Sequence, residues 1–234
     1  MTMSAVLETH QLSSGYHGHA FVTDLDISVE PGEVIALLGP NGAGKTTTLL
    51  AIAGELPALS GTVEMFGRKR TDALYKRAAD GLAFVTEERS VFMQLTTAEN
   101  FRVGGADAVE CLQMFPELEP LMNRTAGLLS GGEQQMVTIA RALSRKPKLL
   151  LIDELSLGLA PLVVHRLLDV VRDAASTHGI GVILVEQKVE LALAVSNRAY
   201  VLRDGKVILQ GPSDHIGAQV KELEESYLSG IADS

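Results

Sequence analysis

Apolar residues along this chain follow two rhythms. Short unbroken runs occur at Val34-Ile35-Ala36-Leu37-Leu38, Leu82-Ala83-Phe84-Val85, Leu149-Leu150-Leu151-Ile152 and Gly181-Val182-Ile183-Leu184-Val185. Runs of that length, with no polar alternation, predict strands buried on both faces. Between them the spacing changes to i, i+3, i+4, i+7. Met136, Ile139, Ala140 and Leu143 make one such stripe, and Val164, Leu167, Leu168, Val171 and Ala175 make another. These predict amphipathic helices. Thr46 to Ala53 and Val189 to Val195 read as helices as well. Buried strands alternating with helices predict an α/β fold with a mainly parallel sheet.

The N-terminal part differs. Val6 to Leu12 predicts a first strand. Leu25, Ile27 and Val29 alternate with Asp24, Asp26 and Ser28, predicting a half-buried strand ended by Pro31-Gly32. Pro57 to Gly61 reads as a loop, and Gly61 to Gly67 as a short strand. From Ser90 to Leu129 the pattern turns helical, over Ala98 to Val103 and Ala106 to Phe115, broken by Gly104-Gly105 and Pro116. Late in the chain, Asp204-Gly205 predicts a hairpin turn between Ala199–Leu202 and Lys206–Leu209. A polar tail, helical near Val220 to Leu228, closes the chain. There is no internal repeat or low-complexity tract.

The chain has 234 residues, 46% of them hydrophobic, enough for one large α/β domain. A net charge of −9 argues against non-specific nucleic-acid binding, which rests on neutralising phosphates with Lys and Arg. The single cysteine, Cys111, allows no intrachain disulfide, fits a reducing cytosol and reads as a small buried apolar residue. No basic-then-apolar leader stands at Met1 to His10, and no run of ~20 apolar residues could span a bilayer.

The candidate chemistry begins where the first buried strand ends. Gly39-Pro40-Asn41-Gly42-Ala43-Gly44-Lys45-Thr46-Thr47 has the spacing of a P-loop between a strand and a helix. Glycines let successive backbone N–H groups turn inward on a phosphate chain, and the helix N-terminus adds its dipole. Lys45 is placed to reach the β- and γ-phosphates, and the Thr46 hydroxyl to ligate Mg²⁺. This predicts nucleoside triphosphate binding. It does not say what the energy is used for.

Leu129-Ser130-Gly131-Gly132-Glu133-Gln134-Gln135 resembles the signature motif of ABC transporter ATPases, and it lies between the P-loop and a strand ending in Asp153-Glu154, in that family's order. The resemblance covers essentially the whole chain. Thr86-Glu87-Glu88-Arg89, Ser156-Leu157-Gly158-Leu159-Ala160-Pro161 and Val185-Glu186-Gln187 are similar to one branch, the ATP-binding subunits of branched-chain and related hydrophobic-amino-acid importers, in particular the smaller, LivF-like one.

The resemblance implies a P-loop NTPase of ABC-ATPase type over residues 1–234. Residues 1–89 and 146–234 form its nucleotide-binding core, with an N-terminal antiparallel β part, and residues 90–145 an inserted helical subdomain. It implies that Tyr16 stacks on adenine and that Asp153 and Glu87 join Thr46 at Mg²⁺. Glu154 is the general base, or positioner, of the attacking water, and Gln187 donates to the γ-phosphate. Ser130, Gly131 and Gly132 face the ATP held by a second ATPase subunit, a paralogue or a second copy. Partners are then two integral membrane permease subunits and, indirectly, a solute-binding protein, with this chain peripheral on the cytoplasmic face of the inner membrane.

Departures from the wider family are visible. Most ABC ATPases have Gln where Glu87 stands and His where Gln187 stands. Leu155 replaces the usual Pro, Ala160 stands where many relatives have Asp, and the stretch between Phe101 and Pro116 is short for the branch. A soluble or non-importer ABC ATPase, in regulation, repair or another transport role, is the alternative reading.

Overall fold

The computed structural model describes residues 4–88 and 90–219, so the tail helix expected near Val220 to Leu228 lies outside the described residues. The chain opens with strands β1 (Leu7–Tyr16), β2 (His19–Leu25) and β3 (Ser28–Val29). Strand β4 (Val34–Leu38) leads into helix α1 (Lys45–Ala53), followed by β5 (Ala58–Met65), β6 (Arg68–Arg70), α2 (Leu74–Asp80) and β7 (Leu82–Val85). A helical stretch comes next: α3 (Thr97–Val103), α4 (Ala108–Met114), two short 3₁₀ turns, and α5 (Gly131–Ser144). The chain then returns to β8 (Leu149–Asp153), α6 (Pro161–His178), β9 (Gly181–Val185), α7 (Val189–Val195), β10 (Arg198–Arg203) and β11 (Lys206–Pro212).

The strands form two sheets. One is antiparallel, in the order β2-β1-β5-β6, with β3 also on β1. The other has the order β11-β10-β4-β9-β8-β7 and is parallel throughout except for the β10–β11 hairpin. The fold is thus the expected α/β architecture with a mainly parallel core and an N-terminal antiparallel part.

Alternate side chains of the parallel strands feed two cores. Val34, Ala36 and Leu38 of β4 join Val182 and Leu184 of β9 and Leu150 and Ile152 of β8 against α5 and α6. Ile35 and Leu37, with Ile183, Leu149 and Leu151, pack instead under α1 and the antiparallel sheet. Burial on both faces is why these strands read as unbroken apolar runs.

Two local expectations are corrected. Pro57 to Gly61 is not all loop: β5 starts at Ala58 and pairs with β1, Ser14 opposite Ala58 and Ser13 opposite Ser60. Tertiary pairing overrides the turn-prone composition, and the Ser14 hydroxyl donates to the Pro57 carbonyl at 2.9 Å. The strand expected across Leu25, Ile27 and Val29 is split between β2 and β3. Its alternating burial survives, because the Thr9 hydroxyl donates to the Leu25 carbonyl and accepts from the Ile27 N–H across the gap. Sequence reading also missed β6 and α2. Arg77 of α2 is buried and donates to the Ala51, Ile52 and Asp72 carbonyls, capping the C-terminal end of α1.

Candidate functional site

Strands β4, β7, β8 and β9 run parallel, so the residues that follow each of them collect along one edge of the sheet. Ligands of open α/β sheets bind outside such carboxyl ends. Here that edge receives Gly39 to Lys45 after β4, Thr86 and Glu87 after β7, Asp153 and Glu154 at the end of β8, and Glu186 and Gln187 after β9.

A cleft of about 420 Å³ lies at this edge. Its walls include Asn41, Gly42, Gly44, Lys45, Thr46 and Thr47, and also Tyr16, Glu87, Glu154 and Gln187. Residues separated by up to 171 positions in sequence therefore meet around one space. Gly39, Pro40 and Ala43 complete the loop without lining the cleft, and Asp153 lies behind it, buried. Ser130, Gly131 and Gly132 do not line it.

The loop is built by its backbone. Gly44 is the N-cap of α1 at φ 101°, a conformation open to glycine at little cost, and a Cβ there would stand 2.5 Å from Val22 Cγ1. Lys45 turns back over the loop and donates to the Gly39 carbonyl at 2.8 Å and the Pro40 carbonyl at 3.1 Å. Burial lowers the Lys45 pKa, opposed by the Glu154 and Asp153 carboxylates.

Asp153 is buried, and its Oδ1 has no hydrogen-bond partner among the described residues. Burial raises its pKa, with the Glu154 and Glu87 charges pushing the same way and the Thr46 hydroxyl and Lys45 pulling back. A buried carboxylate oxygen with no donor, beside a hydroxyl and two further carboxylates, is an all-oxygen set that fits a hard divalent cation such as Mg²⁺.

Glu154 has a left-handed backbone, φ 50°, uncommon for a residue with a Cβ. Its N–H donates to the Val185 carbonyl at 3.0 Å. Gln187 Nε2 lies 3.0 Å from Oε1 and 2.9 Å from Oε2 of its carboxylate. Between the same two loops, the buried Glu186 accepts from the Ser156 N–H at 3.0 Å and the Ser156 hydroxyl at 2.7 Å. Burial raises the Glu186 pKa, and the two Ser156 donors oppose it.

At the open end, Tyr16 meets Phe21 edge to face, ring centroids 5.5 Å apart and planes at 83°. Both rings are exposed. Sequence reading singled out Tyr16 and missed Phe21; the available signal was a second aromatic across the His17-Gly18 turn that joins β1 to β2. It also gave Glu186 and Ser156 no role, since nothing local to either residue points to the other.

Ser130 is the N-cap of α5. Its hydroxyl accepts from the Glu133 N–H, and Glu133 Oε2 accepts from the Ser130 N–H at 2.7 Å, a capping box. Ser130 is exposed. Gly132 lies under α6, where a Cβ would stand 2.8 Å from Val163 Cγ1.

Among the described residues, no helix is long and apolar enough to cross a membrane.

Comparison with known proteins agrees with this geometry. The ABC transporter family model matches residues 22–156. The chain is 35% identical over 239 residues to the high-affinity branched-chain amino acid transport ATP-binding protein BraG of Pseudomonas aeruginosa, covering 96% of this chain and 100% of that protein. It is 34% identical to the probable branched-chain amino acid transport ATP-binding protein LivF of Archaeoglobus fulgidus, covering 97% and 100%. It is also 33% identical to the lipopolysaccharide export system ATP-binding protein LptB of Escherichia coli, covering 96% and 97%. A solved ATP-binding subunit of an ABC transporter superposes with a TM-score of 0.80 at 30% identity, over 96% of this chain and 98% of that one. Likeness of this extent, met by a cleft of the right chemistry, means that the chain belongs to the ABC transporter family, as one of its ATP-hydrolysing subunits.

Proposed function

We propose that this chain hydrolyses Mg²⁺-ATP in the cleft beside the P-loop to energise uptake of branched-chain amino acids, or a related small solute, through separate membrane subunits. The observation that carries the site assignment is the meeting of Lys45, Thr46, Glu87, Glu154 and Gln187 around one space, in front of the orphaned Asp153 oxygen.

Each residue then has a role. Tyr16 offers an exposed ring to stack on adenine. The backbone from Gly39 to Thr47 wraps the phosphates, with Lys45 leaving the Gly39 and Pro40 carbonyls to meet the β- and γ-oxygens. Thr46, Asp153 and Glu87 hold Mg²⁺, which when bound offsets charge on the phosphate oxygens. Glu154 orients a water and takes its proton as the water oxygen bonds to the γ-phosphorus. The bond from that phosphorus to the β,γ-bridging oxygen breaks, leaving ADP and inorganic phosphate. Gln187 donates one amide hydrogen to the γ-phosphate and keeps Glu154 aligned with the other.

Ser130, Gly131 and Gly132 are exposed or half-exposed outside the cleft, which favours a role toward ATP held by a second ATPase subunit, with two chains closing on two nucleotides. In this reading residues 1–89 and 146–234 bind nucleotide, and residues 90–145 are a helical subdomain facing two permease subunits. The chain works on the cytoplasmic face of the inner membrane, receives solute through a binding protein, and has no nucleic-acid partner.

The importer reading rests on end-to-end likeness to BraG and LivF. Likeness to LptB over nearly the same span favours export as the second reading. Co-purification of the tagged chain from gently solubilised native membranes separates them. Two polytopic permeases and a second ATPase, with radiolabelled leucine uptake in vesicles, are expected for the importer. Partners of a lipid export system would replace the importer reading, and a chain found only with soluble partners would remove the membrane role altogether.

A further inference from the structure

Glu186 is a buried carboxylate that the roles above do not use. It is 1% exposed. Burying a carboxylate is costly unless its oxygens are satisfied, and a neutral side chain could fill the same space more cheaply. Among the described residues, its side-chain hydrogen bonds both come from Ser156, through the N–H at 3.0 Å and the hydroxyl at 2.7 Å.

The position of that contact matters. Strands β8 and β9 are neighbours, with Asp153 opposite Val185. Beyond that last pair the two loops stay joined. Glu154 N–H donates to the Val185 carbonyl, Gln187 donates to the Glu154 carboxylate, and Ser156 donates to Glu186. Glu154 therefore sits between two anchored amides, its own and that of Ser156. Its backbone is the left-handed one, and such a conformation in a residue with a Cβ is strained and persists only where its surroundings hold it.

We propose that Glu186 is a positioning residue for ATP hydrolysis: by holding Ser156 it fixes the backbone at Glu154 and so the direction of the Glu154 carboxylate. The proposal rests on the reading of Glu154 as the group that takes the proton of the attacking water. Glu186 does not line the cleft; it acts through the loop. Its neighbour Gln187 reaches the same carboxylate from the side-chain end, so adjacent residues after β9 hold Glu154 by its backbone and by its oxygens.

The test uses the full chain with Mg-ATP. Glu186→Leu fills the site without accepting a hydrogen bond. It should lower kcat about 10- to 100-fold, the scale of a misplacement near 1 Å, while the KM for ATP stays within about twofold. Hydrogen exchange, read without nucleotide, should show a faster Ser156 amide and unchanged amides in β4 and β8. Glu186→Gln should recover turnover toward the native rate. Its Oε1 can accept from the Ser156 N–H, and its Nε2 can donate to a rotated Ser156 hydroxyl.

Native kcat in Glu186→Leu overturns the proposal, and so does an unchanged Ser156 amide. A joint loss of kcat and ATP affinity, unrescued by Gln, would mean a structural role only. Should Glu186→Leu fail to fold, Ser156→Ala decides: a lower kcat at unchanged KM supports the latch, and native kcat ends it. Glu154→Gln run alongside separates the two layers. An inactive Glu154→Gln with a fully active Glu186→Leu removes the latch alone, and an active Glu154→Gln removes the role on which the latch rests.

Discussion

The side-chain nitrogen of Gln187 stands 3.0 Å and 2.9 Å from the two carboxylate oxygens of Glu154. One uncharged amide, with two hydrogens, thus spans both oxygens of the carboxylate assigned to the water. To donate to a γ-phosphate as well, it must give up one of them. That hand-over ties the state of the phosphate to the freedom of Glu154.

Removing the amide should break the tie. Gln187→Ala is expected to lower kcat about 100- to 1,000-fold, the range for losing one aimed donor at a transition state. The KM for ATP should change little, because the P-loop holds most of the phosphate. Gln187→His keeps a donor at the position and should lose less. Phosphate release under saturating and limiting ATP measures both quantities, and equal rates for Ala, His and native chains would detach Gln187 from the chemistry.

Glu154→Gln keeps the size of the side chain and loses the carboxylate proposed as the base. Turnover should fall at least ~100-fold, the lower end for a general base. ATP binding should persist, and two chains should remain associated around unhydrolysed ATP. Size-exclusion chromatography with Mg-ATP reads the association, and phosphate release the turnover.

Much of this molecule was legible in its sequence, and the limits are physical. The parallel strands announced themselves because both of their faces are buried, as Ile35 and Ala36 show by feeding opposite cores. The P-loop was legible because a local backbone conformation needs its glycines at fixed spacing. Strand β5 was missed at its start because Ala58 to Ser60 are held by β1 and not by their own propensity. The Glu186–Ser156 contact was invisible for a related reason. It joins residues 30 positions apart through a register, Asp153 opposite Val185, that no local pattern encodes.

Cys111 gives a pH-dependent expectation. It is fully buried, and burial pushes its thiol up to about 11, with the Asp107 and Glu110 charges adding to the effect and the Ser144 hydroxyl opposing it. The thiol stays protonated well past neutrality, and the thiolate is the reactive form. A raised pKa in the folded state contributes stability below the unfolded value near 9 that is lost as pH rises through 11. At pH 8 the folded chain should therefore resist a disulfide-exchange reagent such as DTNB. One equivalent should react on unfolding in guanidinium, since the chain has a single cysteine. Rapid labelling of the folded chain at pH 8 would contradict the burial.

Gly132 offers a test of packing at the start of α5. A Cβ added there would stand 2.8 Å from Val163 Cγ1 and 3.3 Å from Cγ2, so the side chain of Val163 is seated where the glycine leaves room. Val163 lies in the first turn of α6, and α5 begins at Gly131. Gly132→Ala therefore has two opposed effects. Alanine favours helix over glycine by ~1 kcal/mol. The overpacked contact costs ~1–3 kcal/mol. The net should be a loss of stability, read as a lower midpoint in urea. Val163→Ala removes the obstructing methyls at its own cost for lost packing. If the contact sets the sign, Gly132→Ala in the Val163→Ala background should be neutral or stabilising, because only the helix term remains. A double-mutant cycle measures this coupling directly. Equal effects of Gly132→Ala in both backgrounds would mean that α5 and α6 yield at this point, and that the Val163 contact does not set the sign.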